Sequence, residues 1–99
     1  DYSKEVDFEL FTLVIKNLLD NGIKYSTDKH ITVVINNNAL KIINKGEALS
    51  EPLENYFKPF HASKKGLGLG LYIVKSILDI HHMELHYVHE DGENIFTVV

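Results

Sequence analysis

Two spacings of hydrophobic residue alternate along the chain. Phe8, Leu10, Phe11, Leu13, Val14, Leu18, Leu19 and Ile23 return at helical intervals and predict a long helix with one broad buried face, opened by Asp7 as N-cap and running to about Tyr25. Ser26 to Lys29 is a loop. Ile31 to Ile35 is β-branched throughout, Asn36-Asn37-Asn38 is a turn signal, and Ala39 to Ile43 is the returning strand of a hairpin. Asn44 to Glu51 is irregular about Gly46, and Pro52 to Tyr56 makes a short helix. A second long helix starts near Gly68 or Leu69 and ends around His82, with Leu71, Ile73, Val74, Ile77, Leu78 and Ile80 as its apolar face. Met83 to His89 and Asn94 to Val99 close the domain as an antiparallel pair, joined through the hairpin signal Asp91-Gly92. This order gives an α+β domain in two layers: a mixed, mostly antiparallel sheet with helices on one face. Asp1 to Glu5 is polar and reads as the end of a preceding strand or a linker.

The polar residues of the first helix form their own stripe. Asn17, Asn21 and Lys24 stack two carboxamides and an ammonium along one line, with Tyr25 beside Asn21. Asn lowers helix propensity, so two of them one turn apart in a Leu-rich helix suggest a task for their side chains. A carboxamide oxygen is a hard ligand suited to Mg²⁺, and a nearby Lys suits the phosphate such a metal carries. The bland alternative is a solvent face that happens to hold Asn, Asp and Lys.

At 99 residues the chain makes one small domain, and 44% hydrophobic residues with only two prolines make it globular. A net charge of -4 argues against a nucleic-acid or anionic-membrane binder, which needs a basic face. Absence of cysteine excludes disulfides, thiolate metal sites and a Cys nucleophile. No apolar run approaches the ~20 residues of a membrane span. The chain opens with Asp1 and not Met, so it is expected to be a piece of something longer.

Lys64-Lys65 stand directly before Gly66-Leu67-Gly68-Leu69-Gly70-Leu71, three alternate glycines heading an apolar helix. Such a run lets backbone N–H groups approach an anion closely, and phosphate is the natural guest. The spacing matches neither the G-x-x-x-x-G-K-[ST] loop nor the dinucleotide pattern, which fails at its third glycine. Taken alone, it is equally a flexible hinge.

Asn17-Leu-Leu-Asp-Asn21-Gly-Ile-Lys24-Tyr25-Ser26, the run Asn44 to Leu49, the aromatic clasp Phe57-Lys-Pro-Phe60, and Gly66 to Val74 occur in the order and rough spacing of the four sequence boxes of the sensor histidine kinase catalytic and ATP-binding domain. The chain resembles that family over nearly its whole length. The resemblance implies a Bergerat-type α/β sandwich, trimmed at its N-terminus, with ATP and Mg²⁺ as ligands. Asn21 would ligate the metal, Asn17 would support it or the phosphates, Lys24 would neutralise phosphate charge and Tyr25 would line the pocket. Asn44, Gly46 and Leu49 would lie at the adenine. Gly66, Gly68 and Gly70 would form the hinge under the triphosphate, with Leu67 among them and Leu69 and Leu71 anchoring the helix. Lys64 or Lys65 would reach the γ-phosphate from a lid over His61 to Lys65, held at its base by Phe57 and Phe60.

Departures from the family pattern matter as much. Its Asp-x-Gly-x-Gly, whose Asp accepts from the adenine amino group, is here Asn44-Lys-Gly46-Glu-Ala48. An Asn oxygen still accepts that bond, but more weakly than a carboxylate. Leu67 stands where Thr or Ser is usual, and His82-Met83 where a Gly pair commonly ends the second helix. Gyrase-like ATPases place a water-activating Glu one turn before the metal-binding Asn; Asn17 in that position is no general base. The resemblance therefore favours phosphoryl transfer to a histidine in a dimerisation and phosphoacceptor domain outside this segment, and onward to a response regulator, in the cytoplasmic part of an inner-membrane sensor. A nucleotide-free regulatory module of the same fold and a serine kinase of the anti-sigma kind are the alternatives. None of His30, His61, His81, His82, His86 or His89 lies in a phosphoacceptor context; they read as surface or strand residues, with Asp20 and Glu84 as solvated charges and Tyr56 and Tyr72 as packing residues.

Overall fold

Asp7 caps the first helix as its sequence predicts: Oδ1 accepts from the Leu10 N–H at 3.0 Å, and α1 runs Phe8–Tyr25. The computed structural model describes residues 7–36, 39–58 and 69–99. The expected strand or linker at Asp1 to Glu5, the hairpin tip at Asn37-Asn38, and the stretch from Pro59 through the lid to Gly68 lie outside the described residues. After α1 come β1 (Thr32–Ile35), β2 (Leu40–Lys45), a 3₁₀ turn at Leu53–Phe57, α2 (Gly70–Ile80), β3 (Leu85–Glu90) and β4 (Glu93–Val98).

The strands form one sheet in the order β1-β2-β4-β3, and every pairing among them is antiparallel. The β3–β4 turn is the two-residue Asp91-Gly92, with φ of 51° and 77°, which is why a Gly follows an Asp there. Alternation puts Leu40, Ile42 and Asn44 of β2 and Asn94, Phe96 and Val98 of β4 on the face that the helices cover. Val14 and Leu18 of α1 meet Leu71, Val74 and Leu78 of α2 over this face, and the cluster is closed by Ile77 and Met83. Truncating one such Leu to Ala costs about 2–5 kcal/mol, so these few contacts hold the helices in register with the strands.

The buried face of α1 is narrower than its periodicity implies. Val14, Leu18 and Gly22 are buried, whereas Phe8 is 82% exposed and Leu13 and Ile23 are also exposed. One neighbouring helix and one strand cover only a stripe of the cylinder, and residues off that stripe remain outside it. Ile80, at 65% exposure, and Tyr72 are likewise outside the core that the sequence pattern assigned them to. The strand β2 also continues further than expected: Asn44 and Lys45 are part of its ladder and not of the irregular loop.

Two devices fix the relative setting of the helices. The His81 imidazole accepts from the Asp7 N–H at 3.0 Å through Nε2 and donates through Nδ1 to the Ile77 carbonyl at 2.8 Å, a neutral tautomer joining the end of α2 to the start of α1. Beyond it, His82 takes the left-handed conformation (φ 56°) while Met83 N–H bonds to Leu78 O at 2.9 Å and His82 N–H to Asp79 O at 3.2 Å. This is a Schellman ending with His where Gly is usual. The helices therefore run antiparallel, and the 11 residues of α2, at ~1.5 Å each, carry its N-terminus back along α1 as far as Asn17. Among the described residues no helix is long and apolar enough to cross a membrane.

Candidate functional site

At that N-terminus Gly70 faces α1 so closely that a Cβ on it would stand 3.5 Å from Asn17 Oδ1. The Asn17 carboxamide is oriented by its own helix, donating through Nδ2 to the Leu13 carbonyl at 2.8 Å. Its oxygen is thus turned towards the head of α2. Leu69 is the N-cap of α2 and makes no side-chain capping bond, which suits an N-terminus that receives a ligand group. Leu71 is buried at the first turn, anchoring that end of the helix in the core.

One turn further along α1, ~6 Å by helix rise, Asn21 Oδ1 is buried and has no hydrogen-bond partner among the described residues. A buried carboxamide oxygen without a donor costs stability, and such an atom fits a hard cation brought by a ligand. Lys24 and Tyr25 follow on the same flank, with the ammonium 5.7 Å from the Tyr25 ring centroid. The opposite flank of α1 carries a separate groove of about 460 Å³ lined by Phe8, Phe11, Ile15 and Leu19, away from both carboxamides.

The end of β2 meets the end of α1. A Cβ on Gly46 would lie 2.3 Å from the Tyr25 carbonyl oxygen and 3.3 Å from Asn44 Nδ2, so only glycine allows this approach. Thr27 N–H donates to Lys45 O at 2.9 Å, and Asp28 Oδ1 accepts from Ser26 Oγ at 2.8 Å and His30 N–H at 3.1 Å, tying the intervening loop to the strand. Those two hydrogen bonds hold the Asp28 carboxyl below its ordinary value, the His30 amide contributing most. Asn44 is 2% exposed, and its Oδ1, like that of Asn21, is buried without a partner among the described residues. Among the described residues its Nδ2 has only the Lys45 carbonyl, at 3.4 Å.

Tyr87 and Asn94, which the sequence reading gives no role, and His89, which it reads as a surface or strand residue, fix the loop after Gly46. Tyr87 hydroxyl accepts from the Leu49 N–H at 2.9 Å and donates to Asn94 Oδ1 at 2.5 Å, and Asn94 Nδ2 donates to the Glu47 carbonyl at 2.9 Å. His89 Nε2 bonds to the Gly46 carbonyl at 2.9 Å, and Gly46 N–H to Gly92 O at 3.1 Å. The Tyr87 ring rests on Phe96 with centroids 4.9 Å apart. The signal was available: Asn94 shares its strand face with Phe96 and Val98, so alternation marks it as a polar residue turned inward.

The expected residues thus form one arc from Gly70 through Asn17, Asn21, Lys24 and Tyr25 to Gly46 and Asn44, and Leu49 is tied through Tyr87 to Asn94, the cross-strand partner of Asn44. Lys64, Lys65, Gly66, Leu67 and Gly68 lie outside the described residues. Phe57 packs partly buried against the core with Lys75 over its ring at 5.7 Å, while Asp20 and Glu84 are surface charges paired with Lys16 and His86.

Comparison with known proteins gives this arc a context. Residues 6–99 match the family described as histidine kinase-, DNA gyrase B-, and HSP90-like ATPase. The sensor histidine kinase ArsS of Helicobacter pylori is 39% identical over 103 aligned residues, covering 99% of this chain and 24% of its own length. The sensor protein QseC of Escherichia coli is 32% identical over 79% of this chain and 19% of its own. The chain therefore spans about a quarter or less of the length of these relatives. Among solved structures, the catalytic domain of histidine kinase ThkA superposes with a TM-score of 0.83 at 26% identity, over 96% of this chain and 69% of that one. Histidine kinase AdeS of Acinetobacter baumannii superposes at 0.68 with 28% identity, over 93% of this chain and 45% of that one.

Proposed function

Because the chain belongs to the histidine kinase-, DNA gyrase B-, and HSP90-like ATPase family, as the catalytic ATP-binding domain of a sensor histidine kinase, we propose that it holds Mg-ATP along the arc from Gly70 to Asn44. The γ-phosphoryl group then passes to a histidine of a dimerisation and phosphoacceptor domain, and from there to a response regulator, on the cytoplasmic side of a membrane sensor. The observation that carries this reading is the pair of buried, partnerless carboxamide oxygens on Asn21 and Asn44. Their unmet acceptor capacity is spent only when a ligand presents a cation at one and a hydrogen-bond donor at the other.

Asn21 would hold Mg²⁺, whose charge would offset that developing on the triphosphate. Asn17, with its amide given to Leu13 and its oxygen towards Gly70, helps to shape the phosphate end. Lys24 adds positive charge on the same flank, and the uncapped start of α2 adds backbone N–H groups. Asn17 is no proton acceptor, so this chain orients and neutralises the donor and leaves the nucleophile to the phosphoacceptor histidine. Asn44 meets the base at the other end of the arc.

Incubating the intact protein with γ-labelled ATP and Mg²⁺ tests the proposal. Acid-labile, base-stable label on histidine is the expected result; acid-stable label indicates the serine-kinase alternative. Failure of millimolar Mg-ATP to bind indicates a nucleotide-free regulatory module.

A further inference from the structure

The two inward carboxamides of the β2–β4 ladder differ in how firmly they are oriented. Asn94 is fixed at both ends, its oxygen by the Tyr87 hydroxyl and its nitrogen by the Glu47 carbonyl. Asn44 has a partnerless oxygen and a single bond from its nitrogen, at 3.4 Å. A half-turn of the Asn44 amide gives up that weak contact and leaves its oxygen about as far from the Lys45 carbonyl, a small cost at this separation, whereas the same turn at Asn94 breaks two good bonds.

The six-membered edges of purines are mirror images in hydrogen bonding. Adenine presents an amino donor at position 6 beside an acceptor nitrogen, and a 6-oxo purine presents a carbonyl acceptor beside an N–H donor. A carboxylate is acceptor-only and opposes a 6-oxo group; a carboxamide offers both an acceptor and a donor and meets either edge by turning over. We infer that Asn44 makes this pocket tolerant at purine position 6, so that 6-oxo purine nucleoside triphosphates bind alongside ATP. The inference rests on the proposed reading of Asn44 as the residue that meets the base.

Inosine triphosphate is the probe, since it changes only this edge of the ATP base. Titration calorimetry on the intact protein with Mg-ATP and Mg-ITP is expected to give dissociation constants within roughly tenfold of each other. Asn44→Asp is expected to widen that ratio in favour of ATP by about 10- to 100-fold, with the fold checked by circular dichroism. A wild-type protein that prefers ATP by more than about 100-fold, or an Asn44→Asp protein with an unchanged ratio, overturns the inference while leaving nucleotide binding intact. If neither nucleotide binds wild type or variant, the proposed function itself fails and the inference with it. Should the variant not fold, the wild-type ratio decides alone.

Discussion

Asn44 and Asn94 stand opposite each other in the β2–β4 ladder, both on its helix-covered face, and only Asn94 has all its bonding ends engaged. A pair of neutral amides in an otherwise apolar sheet face is costly unless each has partners. Asn94 finds them by pulling the loop from Gly46 to Leu49 onto the β3–β4 hairpin. Asn44 finds only the Lys45 carbonyl for its nitrogen, and among the described residues nothing for its oxygen, which points that oxygen's capacity at a ligand.

Asn94→Ala removes both halves of that latch and strands the Glu47 carbonyl. Urea unfolding is expected to show a loss of about 1–3 kcal/mol, accompanied by weaker nucleotide binding. A change under ~0.5 kcal/mol would show that the latch contributes little.

Asn21→Ala should separate stability from activity. The substitution deletes a buried oxygen that has no partner and replaces a poor helix former with the best, so the midpoint of unfolding is expected to stay level or rise by up to about 1 kcal/mol equivalent. Phosphorylation from Mg-ATP should nevertheless collapse. Retained activity would show that the metal assignment is wrong.

His82 occupies the left-handed position of a Schellman ending, where a side chain is strained and glycine is not. His82→Gly is expected to raise stability by about 0.5–1 kcal/mol in thermal or urea unfolding. A loss would mean that the imidazole makes a compensating contact.

Much of this is legible in the sequence. The Asp7 cap, the Asp91-Gly92 turn and the spacing of both helices are local signals, and each holds. What was not legible depends on which neighbour arrives. Phe8 and Val14 look alike in a periodic pattern, and only the placement of α2 and β2 decides that Val14 is buried and Phe8 is not. The pattern puts Asn44 in a loop because Gly46 suggests one, yet pairing with β4 extends the strand through it. The link from Tyr87 to Leu49 joins residues far apart in sequence, and no short-range pattern encodes it.

Acid should loosen the loop that follows α1. The Asp28 carboxyl titrates below its ordinary 3.8 because the His30 amide and the Ser26 hydroxyl stabilise its charged form. Its stabilising contribution is therefore complete above that ordinary value and is lost as pH falls through the lower folded one. Protection of the His30 amide, measured as its exchange rate relative to the unstructured rate at the same pH, should fall in that acid range in the wild type, and an Asp28→Asn protein should show no such step. A step of equal size in the variant would place the effect elsewhere.

The central claim is that the oxygen-bearing flank of α1, the head of α2 and the floor of β2 serve one nucleotide. It is tested most directly by following the side-chain amide resonances of Asn17, Asn21 and Asn44 and the backbone amide of Gly70 while Mg-ATP is added. All four are expected to shift along one saturation curve with a common dissociation constant. Shifts confined to one of these groups, or curves that saturate at unrelated concentrations, would contradict it.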